Sequence, residues 1–203
     1  MIAGAPILTA AEMRTAEMAA CADGVTMGDL MERAGDALAE LAWRMAAGRP
    51  VHILAGPGNN GGDGAVAARV LRARGADVTL TALADPATDL GREARRGWGG
   101  PVRAIDSAAL RGAIVVDCLF GTGLSRALTP DVADALARHA GAAHRMIAAD
   151  LPSGVNSDDG TLLGCPVHAD VTLAFGAYKP AHTLFPAAAH CGEVRLASIG
   201  VSA

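Results

Sequence analysis

Five of the nine residues in Gly56-Pro57-Gly58-Asn59-Asn60-Gly61-Gly62-Asp63-Gly64 are glycine, and the run lies between the apolar stretch Val51-His52-Ile53-Leu54-Ala55 and a helical pattern ending near Arg74. A strand that feeds a glycine-rich turn and then a helix start brings unpaired amides and the positive end of the helix dipole to one spot, which is an anion site. With few Cβ atoms in the way, a bulky anionic ligand can approach the backbone closely. Gly56, Gly58 and Gly61 match G-x-G-x-x-G, a pattern that alone carries little. Two features set the turn apart from a plain dinucleotide fingerprint. Asn59, Asn60 and Asp63 crowd it with side-chain oxygens, and a carboxylate repels phosphate, so a hard cation or a hydroxyl-bearing ligand is expected. Asp77, at about the right distance for a ribose anchor, stands at the start of the next strand and not at its end. The structural alternative is a tight turn capped by its own Asn and Asp side chains.

The 203 residues suffice for one sizeable core, and a single domain over 1–203 is expected. A net charge of −4 argues against a nucleic-acid surface. The four cysteines, Cys21, Cys118, Cys165 and Cys191, show neither zinc-ligand nor redox-pair spacing, which fits a reducing compartment. The N-terminus has no signal-peptide pattern, and no apolar run reaches membrane-spanning length. The expectation is a soluble cytoplasmic protein that binds neither nucleic acid nor membrane.

Helices are predicted from Ala10 to Cys21, where Thr9 and Glu12 form a capping box, and from about Thr26 to Ala47, with Gly48 ending the second. Gly35 inside that helix marks close packing. Strands are predicted at 51–55, 78–83, 102–105, 114–117, 146–150, 171–175 and 194–198, with helices from Gly62 to Arg74 and from Thr129-Pro130-Asp131 onward. This alternation implies an α/β fold, a three-layer αβα Rossmann-like sandwich with a mostly parallel sheet and an N-terminal helical extension. Ligands in such folds sit outside the carboxyl ends of the strands. Three clusters should therefore face one crevice: 56–64, Asp117 with the following Gly121-Thr122-Gly123-Leu124-Ser125-Arg126, and Asp150-Leu151-Pro152-Ser153-Gly154.

The second glycine-rich turn adds the hydroxyls of Thr122 and Ser125 and the guanidinium of Arg126, so the two loops together suit a diphosphate or dinucleotide. Asp117 and Asp150 end two strands; one can bind a cation while the other exchanges protons, and the alternative for each is a turn cap. Ser153 lacks a nucleophile elbow, and the six histidines have no metal-ligand spacing and read as surface or core residues. Lys179, the only lysine, follows a strand end, where it either reaches the crevice or remains a solvated charge.

With these clusters in view, the chain resembles the NAD(P)H-hydrate epimerase family, the YjeF N-terminal fold. The resemblance rests on Leu8-Thr9-Ala10-Ala11-Glu12-Met13-Arg14, Leu30-Met31-Glu32-Arg33-Ala34-Gly35, the run 56–64 with Ala68-Arg69, 117–124, 150–154 and 169–179. It implies that the substrate is NADHX or NADPHX, the nicotinamide cofactor hydrated across C5–C6, and that the reaction interconverts its 6R and 6S forms. It also implies substrate binding by Asn59, Asn60, Gly61, Gly62, Asp63, Gly121, Thr122, Gly123, Leu124, Ser125, Arg126, Ala127 and Asp150. Asp150 would be the acid/base group, starting protonated or fed through a relay such as a Ser or Thr hydroxyl, and Asn60, Asp117 and Ser153 would bind a potassium ion. A homodimer, joined through the N-terminal helices, is expected. In fused relatives the epimerase leads into an ADP-dependent dehydratase, whereas Ile199-Gly200-Val201 is followed here by Ser202-Ala203. The expectation is a stand-alone epimerase or an epimerase unit cut at a domain boundary, coupled to a separate ADP/ATP-dependent dehydratase. The same fold also serves as a non-catalytic dimeric scaffold in messenger-RNA decapping proteins, which is the alternative. A dehydrogenase is disfavoured by the position of Asp77 and by the lack of a catalytic His or Cys motif.

Overall fold

The apolar runs pair into one parallel sheet of seven strands: β1 (Val51–Ala55), β2 (Val78–Ala82), β3 (Val102–Ala104), β4 (Ile114–Cys118), β5 (Arg145–Ala149), β6 (Val171–Phe175) and β7 (Glu193–Ala197). Their spatial order is β3-β2-β1-β4-β5-β6-β7, every neighbour pair parallel. The structure is a computed structural model and describes residues 6–164 and 166–201. The chain runs outward from β1 to β3 and then returns to the other side of β1 at β4, so the loops leaving β1 and β4 diverge and open a crevice between them.

Helices α1 (Ala10–Ala22) and α2 (Met27–Ala46) precede the sheet, and both begin with reciprocal capping boxes, Thr9 with Glu12 and Thr26 with Asp29. Ala47 and then Gly48, both with left-handed backbone, end α2. One face of the sheet packs Ile53, Val116 and Ile147 against Leu38 of α2 and Val66 and Leu71 of α3 (Asn59–Ala73). The other packs Leu54, Val115 and Met146 against Leu136 of α5 (Pro130–Ala142). The three-layer α/β sandwich is therefore present, and the sheet is wholly parallel where a mostly parallel one was expected. Among the described residues no helix is long and apolar enough to cross a membrane.

Two elements differ from expectation. Helix α3 begins at Asn59 and not at Gly62, because the second half of the glycine run is itself helical and packs too tightly for side chains. A Cβ on Gly61 would collide with the carbonyl of Gly56, and Gly56 in turn abuts the backbone of Leu119 after β4. The glycines thus seat the α3 N-terminus against the strand ends, and Gly61 and Gly62 are buried. Helix α4 (Asp89–Trp98) was not anticipated: half of its ten residues are charged and only Gly91, Ala94 and Trp98 are buried. It is held instead by the cap from Gly91 N–H to Thr88 Oγ1 at 3.0 Å and by Trp98, which lies under the Arg72 guanidinium at 4.3 Å.

Candidate active site

The loops after β1, β4 and β5 meet in a cleft of about 510 Å³. Its walls include Asn59, Asn60 and Asp63 from α3, the turn from Gly121 to Leu124, and Asp150, so all three predicted clusters reach one crevice. Gly61 and Gly62 lie beneath it in the packing, and Ser125, Arg126 and Ala127 are exposed farther along their loop, away from its lining. Gly58 is the N-cap of α3 and makes no side-chain cap bond, which leaves first-turn amides for a ligand.

At the end of β4, Asp117 is fully buried and accepts three hydrogen bonds: Ser153 N–H at 2.8 Å, Ser153 hydroxyl at 2.7 Å and Leu119 N–H at 3.1 Å. Burial pushes its pKa above the ordinary carboxylate range, while these bonds pull the other way. Phe120 N–H donates to Ser153 Oγ at 3.0 Å, and the Asn60 side chain lies against Gly121, its buried Nδ2 without a partner. Asn60, Asp117 and Ser153 therefore surround one turn, residues 119–121. Carboxylate, amide and hydroxyl oxygens with one negative charge fit a hard monovalent cation, and Asp117 Oδ2, with a single donor, retains lone-pair capacity.

At the end of β5 the chain leaves the strand sharply. Asp150, expected to be its last residue, instead lies just beyond it and adopts left-handed backbone with φ 65°, its N–H bonded to Leu173 O at 2.9 Å. Its carboxylate Oδ1 accepts from Phe175 N–H at 3.1 Å and from the ammonium of Lys179, which also donates to Phe175 O at 2.8 Å. Lys179 is 1% exposed, so the ion pair is sealed into the cleft floor. Of the two readings open for Lys179, the crevice-reaching one holds. No hydroxyl donates to Asp150 among the described residues, and the Ser153 hydroxyl is committed to Asp117, so the side chain bonded to the Asp150 carboxylate is the Lys179 ammonium.

Three further groups, Met13, Glu17 and His182, escaped the sequence reading. Glu17 and Met13 come from α1, which lies along the cleft mouth, and nothing in their helical pattern announced a ligand-facing role. Burial raises the Glu17 pKa, with Lys179 opposing and Asp150 adding to the rise. Asp63 is half-buried by area but densely surrounded, and burial, then the charges of Asp150 and Glu17, raise its pKa well above the ordinary carboxylate value. His182, read as an ordinary surface or core residue, contacts the backbone of both Asp150 and Lys179. Its only sequence signal was proximity to Lys179.

A family model described as YjeF-related protein N-terminus matches residues 27–181. The NAD(P)H-hydrate epimerase of Bordetella pertussis strain Tohama I is 41% identical over 184 residues, 85% of this chain and 80% of that protein. The NAD(P)H-hydrate epimerase of Levilactobacillus brevis is 35% identical over 158 residues, 75% of this chain and 74% of that one. The bifunctional NAD(P)H-hydrate repair enzyme Nnr of Thermofilum pendens is 38% identical over 188 residues, which are 84% of this chain but only 35% of that enzyme. The chain thus spans little more than a third of the bifunctional relatives. The crystal structure of the yeast protein ynu0 matches 88% of this chain and 83% of its own with a TM-score of 0.74 at 21% identity, a shared fold. With its family model and these relatives, the chain belongs to the YjeF N-terminal family, the family of the NAD(P)H-hydrate epimerases.

Proposed function

We propose that this protein epimerises the 6R and 6S forms of NADHX and NADPHX, repairing hydrated nicotinamide cofactors. The observation that carries the reading within the structure is the Asp150–Lys179 pair, buried at the floor of a cleft whose wall is the N-terminus of α3. Family membership supplies the reaction, and the pair supplies a proton-handling group where it is needed.

The C6 carbon of the substrate carries a hydroxyl and is bonded to ring nitrogen N1. Protonated, the hydroxyl leaves as water while the N1 lone pair closes a C6–N1 double bond. Water adds to the other face and loses its proton, so atoms and charge balance over the cycle. Asp150 draws a proton from the Lys179 ammonium on its Oδ1, passes it to the departing oxygen, takes one back from the adding water and returns it to Lys179, so the pair ends as it began. General acid/base help of this kind contributes about 10²–10⁴-fold. The uncapped amides at Gly58 and Asn59 suit the diphosphate, and Met13, Leu30 and Phe175 give the ring an apolar wall that excludes water. Asn60, Asp117 and Ser153 would hold the potassium ion, whose positive charge would offset the negative charge of Asp117 beside an anionic substrate. The homodimer belongs to the same proposal, as does work alongside an ADP/ATP-dependent dehydratase.

The test is chiral chromatography of R-NADHX incubated with the protein. Approach to the S/R equilibrium faster than in buffer is expected, and a rate equal to buffer would overturn the enzyme reading.

A further inference from the structure

His182 closes a short 3₁₀ turn, Pro180–His182, and bonds to the backbone at both ends of the Asp150–Lys179 pair. Its Nδ1 lies 3.0 Å from the Lys179 amide nitrogen and its Nε2 lies 2.8 Å from the Asp150 carbonyl oxygen. An amide N–H only donates and a carbonyl only accepts, so Nδ1 carries no proton and Nε2 does. The partners thereby fix the neutral Nε2–H tautomer. The ring is 5% exposed, and burial lowers its pKa, against the charge and carbonyl of Asp150 and with the charge of Lys179.

What the ring grips is unusual backbone. Asp150 sits at φ 65°, a region that side chains other than glycine rarely adopt and that persists only when the surroundings over-determine it. Its N–H is tied to Leu173 O at 2.9 Å, and its carbonyl is tied to His182, so both flanking peptide groups are held. The left-handed step turns the Asp150 side chain out of line with β5 and onto the Lys179 ammonium and Phe175 N–H.

We propose that His182 is a positioning residue of the epimerase site: its neutral imidazole clamps the left-handed backbone of Asp150 to the backbone of Lys179 and so fixes the aim of the proton-transferring carboxylate. The proposal rests on the epimerase reading. It also makes the clamp pH-sensitive. Protonation at Nδ1 would set a ring N–H against the Lys179 N–H, donor to donor, and release that end. The charged and titratable groups facing the ring are Asp150 at the end of β5 and Lys179 and Tyr178 in the loop after β6, the tyrosine ring edge-on at 6.0 Å.

Three variants separate clamping from bulk packing. His182→Leu keeps volume and loses both bonds, and His182→Gln keeps a donor that can reach the Asp150 carbonyl. His182→Asn keeps only an acceptor for the Lys179 N–H. With folding checked by thermal melts, kcat for R-to-S exchange should fall about 10–100-fold in His182→Leu with KM changed less than about twofold, a misaimed group lowering turnover and not binding. His182→Gln should recover most of that loss and show a weaker fall of kcat at acid pH than wild type. Equal kcat in all four proteins, or a Gln variant as slow as the Leu variant with an unchanged pH profile, overturns the clamp. Wild type without exchange would overturn the epimerase reading instead. The clamp is then decided by the crystal structure of His182→Leu: Asp150 relaxed from the left-handed region supports it, and Asp150 unmoved overturns it.

Discussion

Ser153 donates to Asp117 twice, through its backbone N–H at 2.8 Å and its hydroxyl at 2.7 Å. That pair of bonds ties the loop after β5 to the end of β4, and the same hydroxyl accepts from Phe120 N–H at 3.0 Å at the turn that Asn60 touches. Ser153→Ala strips Asp117 of one of its three donors and leaves Phe120 N–H without that acceptor. A loss of about 1–3 kcal/mol in urea unfolding is expected. Crystals of the wild type soaked in thallium should show an anomalous peak between Asn60, Asp117 and Ser153 that weakens in the variant; water-like density without signal would count against the cation.

Gly61 lies within α3, where alanine normally gains about 1 kcal/mol over glycine. Here the sign should reverse, because the added Cβ meets the backbone of Gly56, whose carbonyl carbon would be 2.8 Å away. Gly61→Ala is expected to cost about 1–3 kcal/mol, whereas Gly141→Ala in α5, with nothing within 4 Å of the new Cβ, should cost nothing and gain up to about 1 kcal/mol. Urea midpoints of the two variants decide the matter, and a stabilised Gly61→Ala would contradict the packing role assigned to the turn.

These two glycines show where the sequence was legible and where it was not. The sheet could be read because its strands are short apolar runs buried on both faces, as at Val51–Ala55 and Ile114–Cys118. Their ends then placed Asn60, Asp117 and Asp150 by topology alone. The glycine run, though, reads as backbone bared for a ligand, and it serves at least as much to let α3 press onto Gly56; glycine looks the same in both roles. Helix α4 hid behind its charges. The Asp150–Lys179 pair joins residues 29 apart with no period between them, and His182 enters the site through contacts with backbone, which leave no pattern in side-chain spacing.

His52 and His139 meet edge-on at 4.9 Å in the opposite layer of the sandwich, both fully buried, His52 bonded to Thr81 Oγ1 at 2.7 Å. Burial, then His139 and Arg103, press the His52 pKa down to about 4 from 6.5. The unfolded chain therefore binds more protons between these values, so the stability this histidine confers is complete above about pH 7 and is lost as the pH falls through 6.5 to 4. The whole effect is about 3 kcal/mol. The raised carboxyls Asp63 and Asp117 act with the opposite sign. The measurement is thus the difference in unfolding free energy between wild type and His52→Gln from pH 7.5 to 4. It should shrink as the pH falls, and a pH-independent difference would contradict the assignment.

In the proposed function the carboxylate of Asp150, held by Lys179 in the cleft floor, moves the proton in epimerisation. Asp150→Asn keeps the size and much of the hydrogen bonding while removing the titratable oxygen, so binding should survive and turnover should not. The decisive measurement is the rate of R-to-S exchange of NADHX at saturating substrate, wild type against Asp150→Asn, with affinity checked separately by a stable dinucleotide. A fall of about 10²–10⁴-fold, or roughly 3–5 kcal/mol of transition-state stabilisation, with affinity little changed is the predicted result. Exchange by Asp150→Asn at the wild-type rate would contradict it.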